Sequence, residues 1–114
     1  MLEREETLDN HLIYAISESD ASSLVDIVNS AIHQTQQPFE VEVFTKVDNQ
    51  WDLERILLLM INEGKSPFVI FTLESASLNS YIKNFCDLHQ IQYIDALSPL
   101  IYALQRRSNS FSEE

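Results

Sequence analysis

The segment Pro67-Phe-Val-Ile-Phe-Thr-Leu73 decides the fold, because it is the strongest strand signal in this chain of 114 residues. Its apolar residues follow one another almost without interruption, which is typical of a parallel strand covered on both faces. His11-Leu-Ile-Tyr-Ala-Ile-Ser17 has the same character. The sequence therefore predicts a sheet with buried parallel strands at its centre.

Two weaker strand patterns flank these segments along the chain. Phe39-Glu-Val-Glu-Val-Phe44 follows Pro38 and alternates between apolar and acidic residues, which is typical of an edge strand with one solvated face. Ile91-Gln-Tyr-Ile-Asp95 is short and indicates a fourth strand.

Four amphipathic stretches separate or follow these strands, and each carries an apolar stripe at helical spacing. The predicted buried stripes are Ala21, Leu24, Val25, Val28, Ala31 and Ile32; Leu53, Ile56, Leu57, Met60 and Ile61; Leu78, Tyr81, Ile82, Phe85 and Cys86; and Leu100, Ile101 and Leu104. Such stripes predict helices that pack on the sheet.

The predicted helices have recognisable end signals. The predicted N-caps are Asp20, Asp48 or Asn49, Ser75, and Ser98 with Pro99 behind it. Gly64 is expected just past the second helix, where a left-handed backbone favours glycine. Trp51 is expected to pack over the first turn of that helix, or else to mark a partner surface together with Phe44.

The resulting order β-α-β-α-β-α-β-α predicts an α/β fold, an open, mostly parallel four-stranded sheet with helices on both faces. By analogy with doubly wound folds we expect strand order 2-1-3-4, a Rossmann- or flavodoxin-like half. Residues 11–105 form a single domain in this interpretation. Residues 1–10 are a charged N-terminal tail, and residues 106–114 have the composition of a polar tail or linker.

Charge and composition exclude several classes of partner. The chain holds 7 basic and 18 acidic residues, a net charge of −11, so nucleic acid and anionic membranes would repel it. The charged N-terminus is unlike a signal peptide, and the apolar runs are too short to span a bilayer. We therefore expect a cytoplasmic protein. The single cysteine, Cys86, excludes an internal disulfide and is expected to be a buried thiol.

Nucleotide-binding loops of the familiar types are excluded by the shortage of glycine. Such loops need glycines where backbone N–H groups approach phosphate, and Gly64 is the only glycine in the chain. The best candidate for a ligand or partner site is instead the pair of loops that follow the first and third strands. The candidate residues are Ser17, Glu18, Ser19, Asp20 and Ser22 with Thr72, Glu74 and Ser75. Helix capping is the competing explanation for these residues.

No catalytic or metal-binding constellation accompanies these loops. His11, His33 and His89 are far apart in the sequence, and no pair has the spacing of a helical metal site. None can be linked to a serine or to Cys86 as a triad would require. The sequence thus predicts no catalytic residue, no metal and no cofactor in this chain.

Three segments together resemble a known family. They are Ile13-Tyr-Ala-Ile-Ser-Glu-Ser-Asp-Ala-Ser-Ser-Leu24, Phe68-Val-Ile-Phe-Thr-Leu-Glu74 and Tyr93-Ile-Asp-Ala-Leu-Ser-Pro-Leu100. Their order and spacing are similar to the N-terminal domain of the bacterial and plant regulatory proteins of pyruvate phosphate dikinase and phosphoenolpyruvate synthase. In the first loop Ser17 and Ser19 match the family, whereas Glu18 stands for an aspartate and the family's glycine is absent.

The resemblance implies a regulatory role. Family members are bifunctional, with an ADP-dependent kinase that phosphorylates a threonine of the target and a phosphate-dependent pyrophosphorylase that reverses this. The resemblance implies that the P-loop, and with it ADP or ATP, belongs to a second, C-terminal domain. We expect this chain to be either a truncated form or a stand-alone relative. Its expected partners are a dikinase or synthase target and a second copy of itself.

The sequence therefore leaves three candidate functions for this chain. The first is a non-catalytic regulatory domain for dimerisation or target recognition. The second is a small-molecule sensing domain that uses the loops after the first and third strands. The third is an independent hydrolase with Ser17 or Ser19 as nucleophile, which the absence of a positioned histidine disfavours.

Overall fold

Four strands and four helices alternate along the chain, as the hydrophobic pattern predicts. The computed structural model describes residues 11–112, with side chains to residue 108. The elements are β1 (Leu12–Ser17), α1 (Ser22–Thr35), β2 (Glu40–Phe44), α2 (Gln50–Asn62), β3 (Phe68–Thr72), α3 (Ala76–Leu88), β4 (Tyr93–Asp95) and α4 (Ser98–Ser112). Each strand is one or two residues shorter than the sequence predicts.

The strands form one parallel sheet in the order β2-β1-β3-β4, which confirms the predicted order. Ala15 at the middle of β1 pairs with Val43 on one side and with Ile70 on the other. β1 and β3 are therefore the central strands, and β2 lies at an edge as its alternating pattern predicts. Between β1 and β3 the chain changes direction across the sheet, so their ends form the topological switch point.

Helices cover both faces of the sheet. Alternate residues of β1 point to opposite faces because the side-chain period of a strand is two residues. The larger cluster lies beneath α2 and α3 and contains Leu12, Tyr14, Ile16, Val47, Leu53, Leu57, Met60, Val69, Phe71, Leu73, Leu78, Ile82, Cys86 and Ile91. The smaller cluster lies beneath α1 and contains Ile13, Ala15, Leu24 and Val28. The predicted stripes of the first three helices supply these contacts, although Ala31 is exposed.

Several helix ends form as predicted. The side chain of Asn49 accepts a hydrogen bond from the amide of Asp52 at 2.9 Å, and that of Ser75 accepts one from Leu78 at 3.5 Å. Gly64 has a φ of +69°, and its amide donates to the carbonyl of Ile61. These contacts satisfy backbone groups that the ends of a helix would otherwise leave unpaired.

Two predicted N-caps are wrong by a residue or more. Ala21, rather than Asp20, occupies the N-cap position of α1. Helix α4 already includes Ser98, and the carboxylate of Asp95 accepts the backbone amides of Leu97 and Ser98 at 3.0 and 2.9 Å. In both cases a carboxylate that precedes the N-cap position accepts hydrogen bonds from backbone amides at the start of the helix.

The last helix differs most from expectation. The sequence predicts a polar tail or linker from residue 106 onward, but α4 extends to Ser112. Its predicted inner face is not buried, since Leu100, Ile101 and Leu104 are 58%, 40% and 60% exposed. The predicted packing of Trp51 over a first turn is also wrong, because its side chain is 78% exposed.

The described helices were compared with the length and hydropathy that a membrane-spanning helix needs. None of the helices within residues 11–112 combines the length and the apolar character needed to cross a bilayer.

Candidate functional site

The two predicted loops meet at the carboxyl edge of the sheet, the edge at which the strands end. Ser17 and Thr72 lie opposite each other in the pairing of β1 with β3. The amide of Glu18 donates to the carbonyl of Thr72 at 3.1 Å, which extends this pairing by one residue. This is the switch point of the sheet, where open α/β folds bind ligands.

The side chain of Glu18 bridges this switch point. One of its carboxylate oxygens, Oε1, accepts the backbone amides of Glu74 at 2.7 Å and of Ser75 at 2.9 Å. Ser75 is the N-cap of α3, so the carboxylate lies at the positive end of that helix. A helix start of this kind attracts anions. Here the chain's own carboxylate occupies the position that an anionic ligand would take.

The serines of the first loop are used to hold the loop itself. Ser17 is 2% exposed, and its hydroxyl donates to the carbonyl of Asp20 while it accepts the amide of Ser19. The loop after β2 adds two bonds, from the amides of Lys46 and Val47 to the carbonyls of Ser19 and Ser17. Both serines thus have hydrogen-bond partners within the loop, although neither caps α1.

Asp20 and Ser22 form a further local pair at the start of α1. The carboxylate of Asp20 accepts both the amide of Ser22 at 3.0 Å and its hydroxyl at 2.7 Å. These hydrogen bonds hold the pKa of Asp20 below its usual value, so the group stays ionised at neutral pH. Together with Glu18 and the exposed Glu74 it makes this edge of the sheet acidic.

A second polar cluster, which the sequence analysis missed, lies at the base of α4. Asp95 accepts the amides of Leu97 and Ser98, the side-chain amide of Asn79 at 2.9 Å, and an ion pair from Lys83 at 3.4 Å. Burial would raise the pKa of Asp95, but the hydrogen bonds from Ser98, Asn79 and Leu97 outweigh it and hold the pKa far below the usual value. The sequence feature that could have revealed this cluster is a carboxylate, Asp95, three residues before the helix start at Ser98-Pro99.

The hydrolase hypothesis lacks a base at the right place. His11 precedes β1, His33 lies in the last turn of α1, and His89 ends α3. Helices that follow parallel strands run back along the sheet, so all three positions lie at the edge opposite Ser17 and Ser19.

Cys86 is buried as predicted, and burial raises the pKa of its thiol to about 12, so it is protonated at neutral pH. Among the described residues no cluster of three or more His, Cys, Asp or Glu side chains could hold a metal ion.

An open cleft lies next to the first predicted loop, on its β2 side. It has a volume of about 360 Å³ at the carboxyl end of β2 and the start of α2. The residues that line it are Val43, Phe44, Thr45, Val47, Asp52, Arg55 and Ile56. None of the eight predicted site residues is among them, so the structure brings the predicted residues together without placing them around this cleft.

Comparison with known proteins agrees with the resemblance that the loops suggest. The sequence model of the kinase/pyrophosphorylase family matches residues 13–114. A protein of Alkaliphilus metalliredigens (strain QYMF), named as a pyruvate, phosphate dikinase regulatory protein, is 25% identical over 99 residues. The matched region covers 84% of this chain but 34% of that relative, so the chain spans about a third of its length. With the family match extending from the first strand through the last helix, the chain belongs to the kinase/pyrophosphorylase family.

Proposed function

We propose that this chain is a non-catalytic domain of a regulator of pyruvate phosphate dikinase or phosphoenolpyruvate synthase. It corresponds to the N-terminal domain of such regulators and serves dimerisation or target recognition. The transfer of phosphate from ADP, and the reverse reaction with phosphate, take place on another domain. The relative from Alkaliphilus metalliredigens, whose name includes regulation of the dikinase, supports this target.

The observation that carries the proposal is the side chain of Glu18. Its carboxylate holds the amides of Glu74 and Ser75 at 2.7 and 2.9 Å, at the point where an α/β sheet of this type binds phosphate groups. An incoming phosphate would have to displace this carboxylate and would meet the negative charge of Asp20 and Glu74 nearby. The most favourable place for a nucleotide is therefore already filled from within the chain.

The surface also suits a role in binding other proteins. Trp51 is 78% exposed, and Leu58 and Leu59, about two turns further along the outer side of α2, are 45% and 51% exposed. Aromatic residues and exposed apolar groups of this kind are enriched in protein interfaces.

A calorimetric titration of the folded chain against the dikinase and the synthase of the same organism tests the proposal. We expect saturable binding to one of them, without phosphorylation of the target when ADP is present. Titrations with ADP alone and with inorganic phosphate alone are the controls, and we expect no heat of binding from either. Saturable binding of ADP, or phosphorylation of the target by this chain, would contradict the assignment of a non-catalytic domain.

A further inference from the structure

Helices cover one face of the sheet fully and the other face by half. A helix is about 10 Å wide and neighbouring strands lie about 4.8 Å apart, so each face of a four-stranded sheet takes two helices. α2 and α3 pack on one face, whereas α1 packs on the other, against Ile13 and Ala15 of β1. That face carries no described helix over β3 and β4, because residues 99–108 of α4 are all exposed. A place for one more helix is therefore open beside α1.

Apolar side chains form the floor of this place. Phe68 and Ile70 of β3 point to the α1 face and are only partly buried there. Ile94 of β4 pairs with Ile70 in the sheet and is 51% exposed. A sheet face that meets water carries polar side chains at such positions. The three apolar residues therefore indicate a face that packs against another element.

One flank of α1 forms the wall of this place. Ile27 is 59% exposed, and Ala31, four residues further on, is exposed on the same side of the helix. Val25 and Ile32 lie on the opposite flank. Because the crossover from β1 to β2 is right-handed, the flank of Ile27 and Ala31 faces β3. Floor and wall together form an apolar trough, which we call the α1 trough, and its residues are Ile27, Ala31, Phe68, Ile70 and Ile94.

Helix α4 carries a matching apolar surface. Leu100, Ile101 and Leu104, which we call the α4 stripe, are exposed and share one side of the helix, because Leu104 follows the other two by four and three residues. The helix rises about 6 Å over the stripe, whereas β3 extends for about 13 Å from its first residue to its last. The stripe is therefore short enough to lie within the trough.

The connection between β4 and α4 suits a return of the helix to the sheet. Ala96 and Leu97 form this connection, which has the usual length of a loop from a strand to a helix that runs back along the sheet. The amide of Ala96 donates to the carbonyl of Phe71 at 2.9 Å, so the sheet pairing persists to that residue. Asp95 accepts the amides of Leu97 and Ser98 and keeps the start of the helix beside β4. Rotation at Leu97 therefore moves α4 without disturbing a strand.

The extended position of α4 gives this helix little stability. A helix of 15 residues is marginal in water unless an apolar face is buried. The extended arm also gives the chain a Cα radius of gyration of 15.8 Å, against about 13 Å for a compact domain of this length. Packing the α4 stripe into the α1 trough removes two apolar surfaces from water in one contact, which favours a docked position.

We propose that α4 is a strap that closes on the α1 trough, with the α4 stripe packed against Ile27, Ile70 and Ile94. The extended helix is the open position of the strap. The closed position completes the pair of helices on this face of the sheet. It also covers the stripe, so a partner that binds the stripe must first open the strap. The inference goes beyond the proposed function, because neither position depends on the dikinase or the synthase.

Cross-linking between two introduced cysteines tests the closed position. Ile27→Cys with Leu104→Cys places one thiol on the wall of the trough and the other on the stripe, at positions exposed enough to leave the fold intact. Ile27→Cys with Tyr102→Cys is the matched control, since Tyr102 is 63% exposed on the opposite side of α4. Cys86 does not compete for the reagent, because it is buried and burial raises the pKa of its thiol to about 12.

The full chain is treated with a short bismaleimide at about 1 μM protein, far below the millimolar effective concentration of two groups on one chain. We expect a cross-link within one chain that forms roughly tenfold faster with Leu104→Cys than with Tyr102→Cys. Its rate should not depend on the protein concentration. Circular dichroism before the reaction shows whether both double variants are folded.

Equal rates for the two pairs would overturn the proposal, because α4 would then move freely without docking. A Leu104→Cys pair that does not react would overturn it as well, since α4 would then stay extended. Cross-linked dimers in place of the product within one chain would assign the trough to the helix of another copy, which also contradicts the strap. Failure of target binding in the calorimeter would leave a cross-link within one chain unaffected.

Discussion

Glu18 is the residue that ties the central strands together at their carboxyl ends. Its carboxylate satisfies two amides 56 and 57 residues away, which is a long-range contact between two loops. Hydrogen bonds to a charged group contribute about 1.5–3 kcal/mol when they are buried, and less when they are partly exposed as here. The side chain thus stabilises the edge while it occupies the helix start.

We expect Glu18→Ala to lower the free energy of unfolding by about 1–2 kcal/mol, because the amides of Glu74 and Ser75 lose their acceptor. Chemical denaturation at neutral pH measures this change. Glu18→Gln keeps one oxygen acceptor and should cost less. Equal stability of Glu18→Ala and the unchanged chain would show that water replaces the carboxylate without loss.

Asp95 should make the stability depend on pH. Its side chain is 9% exposed and its pKa in the folded chain lies far below the unfolded value of about 4. The stabilisation is therefore complete at neutral pH, begins to fall once the pH drops below about 4, and continues to fall toward the folded pKa.

Asp95→Asn should cost about 2 kcal/mol at pH 7, because the amide carries no charge and its NH₂ group cannot accept the bond from Asn79. Denaturant melts of both chains between neutral and acidic pH measure the difference, which should shrink as the pH falls below about 4. A difference that is constant over this range would mean that the charge of Asp95 does not contribute.

At the scale of the elements, two helices end in the same way but with different residues. After α2, Gly64 has a φ of +69°, and the amides of Gly64 and Lys65 donate to Ile61 and Met60. After α3, Gln90 has a φ of +58°, and the amides of Gln90 and Ile91 donate to Asp87 and Cys86. A left-handed backbone is strained for a residue with a Cβ atom but not for glycine.

Adding a side chain at Gly64 and removing the side chain at Gln90 should therefore change the free energy of unfolding in opposite directions. We expect Gly64→Ala to destabilise the chain by about 1 kcal/mol through the backbone alone, since nothing lies within 4 Å of the added Cβ. Gln90→Gly should stabilise it by about 0.5 kcal/mol, and Gln90→Ala, which keeps the strain, should change little. Thermal unfolding measures all three. Destabilisation by Gln90→Gly would indicate that the side chain of Gln90 contributes more than its backbone costs.

At the scale of the whole molecule, uncompensated negative charge opposes folding. The chain has 18 acidic residues for 7 basic ones, and the ion pairs of the described residues are mostly exposed, as in Arg55 with Asp52 and Lys65 with Glu63. Such pairs contribute little. Repulsion among the remaining carboxylates therefore destabilises the compact state.

We expect the melting temperature to rise by a few degrees when sodium chloride is increased from about 0.01 M to about 0.15 M, because the screening length falls from about 30 to 8 Å. Differential scanning calorimetry at neutral pH measures this rise. Potassium sulfate at equal ionic strength separates screening from ion-specific effects. A fall in melting temperature would mean that attractive pairs outweigh the repulsion.

The sequence by itself determined the architecture of this protein. Uninterrupted apolar runs in β1 and β3, the alternation in β2 and the stripes of Leu53, Leu57 and Met60 or Leu78 and Ile82 reflect local periodicity, which a linear chain displays directly. Family membership was also visible, because the motifs near Ser17, Thr72 and Asp95 keep their order and spacing.

Only the tertiary structure decided how the polar residues are used. The bonds from Glu74 and Ser75 to Glu18 join segments 56 and 57 positions apart, and no local pattern reveals which distant amides a carboxylate will reach. The apolar stripe of Leu100, Ile101 and Leu104 on α4 is a second feature whose environment the local sequence does not reveal. Periodicity indicates that Leu100, Ile101 and Leu104 form an apolar face, but only the structure shows that α4 leaves this face exposed instead of packing it on the sheet.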